Sequence, residues 1–255
     1  IKTYVHEGEI MQAVLSKDVT FEGSYDPMTL YRALRLINPS PYMLYLSFDD
    51  FNVIGASPEI LVHQTNGKVT IRPIAGTRKR GETSNEDLTN KIDLLEDDKE
   101  KSEHMMLVDL ARNDLSKVAE IGTVQVDEMM VIEKYSHVMH MTSNVIGQKK
   151  SDASAVDCLK AALPAGTLSG APKIRAMEIL SKLENRVRGI YGGAVGYIGF
   201  NGSLDTAIVI RTAIHTNKDV KVGVGGGIVF DSIPENEWQE TESKLAVFRE
   251  ALKYS

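Results

Sequence analysis

The sequence predicts an α+β protein built on antiparallel sheets. Strand-like alternation and helix-like periodicity are interleaved along the chain, and neighbouring strands are joined by short turns instead of helical crossovers. That pattern separates it from a doubly wound parallel sheet.

The elements follow in order. Met11, Ala13 and Leu15 alternate with Gln12, Val14 and Ser16, which predicts a strand. Asp26 and Pro27 open a helix as N-cap and first helical residue, and Asn38-Pro39 closes it. Strands and turns are expected over 42–74, with Asn66-Gly67 a hairpin signal. Two helices follow, the second over 98–119, and strands return across 124–146. Helices are expected at 153–162 and 172–187, strands at 194–200, 206–215 and 220–230, and a last helix at 234–253. No repeat or Pro/Ser-rich linker interrupts the chain, so one domain over 1–255 is expected.

The chain has 255 residues, enough to bury a substantial core. A hydrophobic content of 42% and a charged content of 25% are ordinary for a globular protein. The net charge of −6 argues against nucleic acid as a partner, because phosphate neutralisation needs a basic face. No apolar run approaches the roughly 20 residues of a membrane span, and Lys2, His6, Glu7 and Glu9 exclude a signal-peptide core at 1–11. The one cysteine, Cys158, cannot form an internal disulfide, which fits a reducing, cytoplasmic compartment. The chain opens with Ile1 in mid-pattern, as expected of a piece excised from a longer protein.

Several residues could carry chemistry. Glu100 and Glu103 lie three apart on a predicted helix, so both carboxylates can project from one face. Glu237 and Glu240 repeat the arrangement on the last helix, with Lys244 four residues on. Carboxylates from two helices would suit Mg²⁺, a hard cation that takes oxygen ligands; the alternative is solvated helix surface with pairs such as Glu240–Lys244. His137 and His140 would face opposite sides of a strand, and His140, between Met139 and Met141, is the better shielded acid or base.

Gly225, Gly226 and Gly227 in VGVGGGIVF leave backbone N–H groups open to an anion, or mark a bend where another segment packs close. The loop PAGTLSGAPK at 164–173 runs into a helix start, where Thr167, Ser169 and Lys173 could receive a carboxylate; helix capping alone, which would need neither Lys173 nor so many small residues, is the alternative. Arg211, in the apolar run 208–212, needs a partner, either an internal group or a bound carboxylate. Gly76, in the turn of IRPIAGTR, would let backbone approach a ligand. The acidic run Glu96-Asp97-Asp98 is expected to be a solvated helix start.

The order of these features resembles one family. SPE at 57–59, RPIAGTRKRG at 72–81, SEHMMLVDLARNDL at 102–115, VMHM at 138–141, AGTLSGAPK at 165–173, YGGAVGY at 191–197, IRT at 210–212 and GGGIVFDS at 225–232 are similar to the chorismate-utilising enzymes. The resemblance covers nearly the whole chain and implies antiparallel sheets forming a sandwich flanked by helices. Within the family, Gln12 stands where water-activating members carry a base lysine, and Ala75 replaces the nucleophilic lysine of aminodeoxychorismate synthases. With the loop at 167–170, these resemble the anthranilate-forming branch. The alternatives are another chorismate converter (aminodeoxychorismate, isochorismate or salicylate synthase) or a non-catalytic fragment that binds chorismate or tryptophan.

The resemblance implies conversion of chorismate and ammonia to anthranilate, pyruvate and water, a lyase reaction opening tryptophan biosynthesis. Glu103 and Glu240 would hold Mg²⁺, with Glu100 and Glu237 nearby. Glu59 would be the general acid, Gln12 would border the ammonia, and His140 would assist pyruvate elimination. Gly76, Thr77, Thr167, Lys173, Tyr191, Arg211, Gly225, Gly226, Gly227 and Lys244 would bind chorismate. A glutamine amidotransferase subunit would supply ammonia, and homo- or hetero-oligomers are expected. Family members of this type carry an additional N-terminal region. Of the tryptophan feedback site, only Pro41, Tyr42 and Met43 match here.

Overall fold

The computed structural model describes residues 1–135 and 138–255. His137 therefore lies outside the described residues. The chain forms two compact units, the first from 1–59, 164–195 and 207–255, the second from 60–163 and 196–206.

The first unit opens with α1 (Lys2–His6) and β1 (Gln12–Glu22), the strand expected from the alternation at Met11. Helix α2 (Pro27–Ile37) starts and stops where predicted: the Asp26 carboxylate accepts from Thr29 N at 2.6 Å, Pro27 occupies the first turn, and Asn38 ends it. Strands β2 (Tyr42–Ser47) and β3 (Asn52–Ser57) form a hairpin.

The second unit follows with β4 (Ile60–Thr65), β5 (Lys68–Ile71), β6 (Ile74–Lys79), α3 (Ser84–Glu96), α4 (Asp98–Ser116), β7 (Gln125–Lys134), β8 (Val138–Gln148) and α5 (Ala155–Ala162). Asn66 and Gly67 both have positive φ, 52° and 80°, as the predicted tight hairpin turn requires. Helix α4 stops three residues short of the expected 119.

The chain then adds α6 (Gly166–Ser169), β9 (Gly170–Ala171), α7 (Lys173–Glu184), β10 (Ala194–Ile198), β11 (Leu204–Ile208), β12 (Thr212–His215), β13 (Asp219–Ile228), α8 (Pro234–Ala251) and a 3₁₀ turn at Leu252–Tyr254. The single strand expected over 206–215 is two strands. Arg211 sits between them at φ 50°, a left-handed conformation that ends one strand before the next begins.

In the first unit, strand order is β2-β3-β12-β13-β1-β9, with antiparallel neighbours throughout. Alternation along β13 explains its two faces. Val220, Val222 and Val224 join Leu30, Leu34, Ile54, Leu245 and Phe248 in a core beneath α2 and α8. Each such buried Leu or Phe contributes about 1.5–3 kcal/mol. The opposite face carries Gly223, Gly225 and Gly227. Ala13 of β1 packs with Ala176, Ile179 and Leu180 of α7.

In the second unit, β4, β5, β8 and β6 run in that order, all antiparallel, with β7 also paired to β8. Thr206, at the end of this unit, donates to Val62 O at 2.8 Å. The architecture is α+β with antiparallel sheets. No helix among the described residues is long and apolar enough to cross a membrane.

Candidate functional site

The first unit gathers most of the residues predicted to act. Glu59 follows β3, and its backbone O accepts from Ile208 N at 3.0 Å. Ser57, fully buried, donates to Ile208 O at 2.6 Å, so both strand ends are pinned together. The Thr167 hydroxyl, in α6, donates to Glu59 Oε1 at 2.8 Å. Burial pushes the Glu59 carboxyl up to about 7, against the Thr167 hydrogen bond and the Lys244 charge, which both lower it. A carboxylic acid that holds its proton near neutrality is what a general acid requires.

Side chains of Tyr191 and Gln12 pack against the glycine face of β13. A Cβ on Gly223 would lie 2.8 Å from the Tyr191 ring, and one on Gly225 would lie 2.8 Å from Tyr191 Oη and Leu15 O. One on Gly227 would meet Gln12 Nε2 at 3.0 Å. Glycines here make room for Tyr191 and Gln12. On the other face, Gly226 lies beneath Glu237, whose Oε2 would be 3.6 Å from an added Cβ. Burial raises the Tyr191 phenol to about 12, so it remains a neutral hydroxyl.

Arg211 makes no side-chain hydrogen bond or ion pair among the described residues. Burial pulls its guanidinium down, with Tyr191 and Glu240 acting in the opposite sense. Its backbone O accepts from Ala56 N at 3.0 Å, which holds the left-handed conformation in place. Lys244 of α8 donates to Gly225 O at 2.8 Å and pairs with Glu240 at 2.5 Å, so the plain i,i+4 pair does form. Lys173 is the first residue of α7, after Pro172, which contributes no side-chain cap. Pro41 stands just before β2, and Tyr42 and Met43 begin it, on the edge strand of the sheet.

The second unit holds the other predicted residues. A bulge between Ala75 and Thr77 interrupts the pairing of β6 with β8. Gly76 occupies it at φ 77°, and an added Cβ would meet Leu94 at 3.0 Å and Glu100 Oε2 at 3.2 Å. The bulge presents Thr77 Oγ1 to His140 Nδ1 at 2.9 Å. Met139 and Met141, the neighbours of His140, are fully buried on the opposite face.

Glu100 and Glu103 lie on α4, as expected. Glu100 is held by Arg78 at 3.3 Å, and Glu103 lies 3.8 Å from Lys99. Arg78 also binds Asp93 and Asp97, at 2.5 and 2.8 Å. Asp97 is therefore more than a solvated start: it caps α4 through Lys99 N and Glu100 N. Those hydrogen bonds and Arg78 outweigh burial and hold its carboxyl below the usual range. Among the described residues, no three His, Cys, Asp or Glu side chains cluster as a ready metal cage.

Reasoning from sequence missed the hold of Arg78 on Glu100 and the pair of the buried Glu184 carboxylate with Arg188, where the i,i+4 spacing was the available signal. The Thr167–Glu59 bond joins residues 108 positions apart, which spacing does not predict.

Comparison with known proteins identifies the family. The family model for chorismate binding enzymes matches residues 1–250. Anthranilate synthase component 1 of Aquifex aeolicus is 53% identical over 252 residues, covering 99% of this chain and 51% of that protein. That of Pseudomonas aeruginosa is 56% identical over 250 residues, covering 98% and 51%. The crystal structure of anthranilate synthase component I from Streptococcus pneumoniae matches with a TM-score of 0.90 and 46% identity, covering 97% of this chain and 55% of that one. The chain spans about half the length of the curated relatives it matches.

Proposed function

The chain belongs to the family of chorismate binding enzymes, and from that premise we propose that it converts chorismate and ammonia to anthranilate, pyruvate and water. The observation that carries the reading is Glu59, a carboxyl raised to about 7 whose oxygen accepts from the Thr167 hydroxyl.

In this reading the protonated Glu59 delivers its proton to the departing ring hydroxyl, which leaves as water. Such a transfer is typically worth 10²–10⁴-fold. Ammonia adds to the ring at the position bordered by Gln12, an amide that cannot deprotonate water and so favours the stronger nucleophile. The later step removes a ring proton and breaks the bond to the enolpyruvyl oxygen, releasing pyruvate and leaving the aromatic amine. His140, oriented by Thr77, is assigned to that proton.

Arg211 answers the carboxylates of the substrate. A partly buried guanidinium without an ion-pair partner among the described residues is an incomplete ion pair, and a bidentate carboxylate completes it. The Tyr191 hydroxyl, the amides of Gly225, Gly226 and Gly227, Gly76, Thr77, Lys173 and Lys244 are assigned to the remaining polar groups of chorismate. Pro41, Tyr42 and Met43 are assigned to tryptophan.

Mg²⁺ is assigned to Glu103 and Glu240, with Glu100 and Glu237 nearby. The support is the chemistry of the donors: all four are carboxylates, and Mg²⁺ characteristically takes one or two carboxylates and completes its shell with water and substrate oxygen. A three-residue protein cage is not required. When bound, the ion would neutralise carboxylate charge on the substrate. We assign the ammonia supply to a glutamine amidotransferase subunit and the location to the cytoplasm.

The test is the pH profile of turnover by the purified chain. Turnover should fall as pH rises through about 7, where Glu59 loses its proton, and Glu59→Gln should abolish it while chorismate still binds. Retention of full turnover by Glu59→Gln would remove the proposed acid.

A further inference from the structure

We infer that Arg188, locked by Glu184, is a positioning residue that clamps the Thr167 loop onto Glu59; this rests on the acid role proposed for Glu59. Glu184, at the end of α7, has a side chain only 3% exposed. Its Oε1 accepts from Ser16 N and Ser16 Oγ, both at 2.8 Å, and from Arg188 Nη2 at 2.6 Å, while Oε2 accepts from Arg188 Nε at 2.8 Å. Burial raises this carboxyl, but the bonds from Arg188 and Ser16 outweigh it and leave it below its ordinary value. The pair is thus a fully ionic, bidentate fork.

What Arg188 does with its other N–H groups decides its role. Nη1 donates to Leu168 O at 2.5 Å, and Nη2 donates to Val14 O at 2.7 Å. Leu168 directly follows Thr167, whose hydroxyl binds Glu59. Val14 lies two residues beyond Gln12 on β1. The guanidinium also stands 5.9 Å from the Tyr191 ring centroid. One rigid planar group therefore ties together the backbones that carry Thr167 and Gln12 and flanks Tyr191, without itself touching Glu59.

An exposed i,i+4 pair would be weak and would position nothing. Here the carboxylate is buried and the guanidinium partly so, and four of the five guanidinium N–H groups are spent on fixed acceptors. A lysine offers a point charge without the fork, so it cannot reach the Glu184 carboxylate, Leu168 O and Val14 O together.

The experiment is a carboxyl-¹³C NMR titration of Glu59 in glutamate-labelled full chain, its signal assigned by its loss in Glu59→Gln. Thr167→Val calibrates the readout: removing the hydroxyl that favours the charged form should move the Glu59 titration upward from about 7. Lys244 on α8, the other charged group acting on Glu59, is left unchanged. Arg188→Lys and Glu184→Gln should each move Glu59 upward too, and combining either with Thr167→Val should add nothing further. Turnover by Arg188→Lys should fall about 10²-fold, the order expected for small misplacements of reacting groups.

The inference is overturned if Arg188→Lys, or Glu184→Gln should the former fail to fold, leaves the Glu59 titration at its wild-type position. Additive shifts in the double variant would also overturn it. The titration needs no substrate. Absence of anthranilate from the wild-type chain would thus remove the proposed reaction and leave the clamp standing, whereas an unmoved Glu59 in an active enzyme would remove only the clamp.

Discussion

Glu59→Gln should stabilise the protein above pH 7 while destroying its proposed activity. In the folded chain burial raises the carboxyl from 4.5 to about 7. Between those values the folded state holds more protons than the unfolded one, so stability falls as pH rises. The favourable contribution of the protonated acid is fully present below 4.5 and is lost by about 7. A shift of this size corresponds to about 3 kcal/mol at 1.36 kcal/mol per unit. Glutamine keeps an oxygen to accept from Thr167 but carries no charge to bury, so it escapes the loss. For a chain of this size the difference amounts to roughly 6–12 °C in unfolding temperature. Thermal unfolding of both proteins at pH 5 and pH 8.5 is the assay. The variant should gain over wild type at pH 8.5 and only slightly at pH 5. A difference independent of pH would show that Glu59 does not titrate in the raised range, and the argument for it as the acid would fail.

Other outcomes follow from the same residues. Arg211→Gln should weaken chorismate binding about 10²-fold, the loss of one charge-assisted bidentate contact, with no fall in unfolding temperature; unchanged affinity by calorimetry would place the substrate carboxylate elsewhere. Gln12→Lys should weaken amination and admit water as nucleophile, read as a hydroxylated product by mass spectrometry, and unchanged ammonia-dependent turnover would count against its place. Glu103→Gln and Glu240→Gln should each abolish Mg²⁺-dependent turnover and leave circular dichroism intact, so full activity in either would cancel that ligand. Gly225→Ala should cost about 1–3 kcal/mol of stability, because the new methyl would meet Tyr191 Oη and Leu15 O at 2.8 Å.

Much of the fold was legible because its signals are local. Asp26 and Pro27 announce α2 through a cap and a fixed φ, and Asn66-Gly67 announces its hairpin through two left-handed residues. The break at Arg211 was not legible. The run from Ile208 to His215 reads as one apolar strand, and nothing local reveals that arginine adopts a glycine-like φ there. The division into two units was equally hidden, since the second is inserted within the first and no linker composition marks the crossings.

Sequence singled out candidate residues but not what holds them. Thr167 and Glu59 were each singled out, yet their bond is a product of topology. The glycines at 225 and 227 left open a ligand site or close packing, and only the fold shows that Tyr191 and Gln12 are what packs against them. Glu184 and Arg188 drew no notice in the sequence, and only the fold brings the guanidinium to Leu168 O and Val14 O.

The most direct measurement is incubation of the purified chain with chorismate, Mg²⁺ and ¹⁵N-ammonium, followed by mass spectrometry of the products. The account predicts ¹⁵N-labelled anthranilate with an equal amount of pyruvate, both dependent on ammonium and on the metal. An unlabelled hydroxylated product formed in the presence of ammonium would contradict it, leaving the family in place and the proposed reaction wrong.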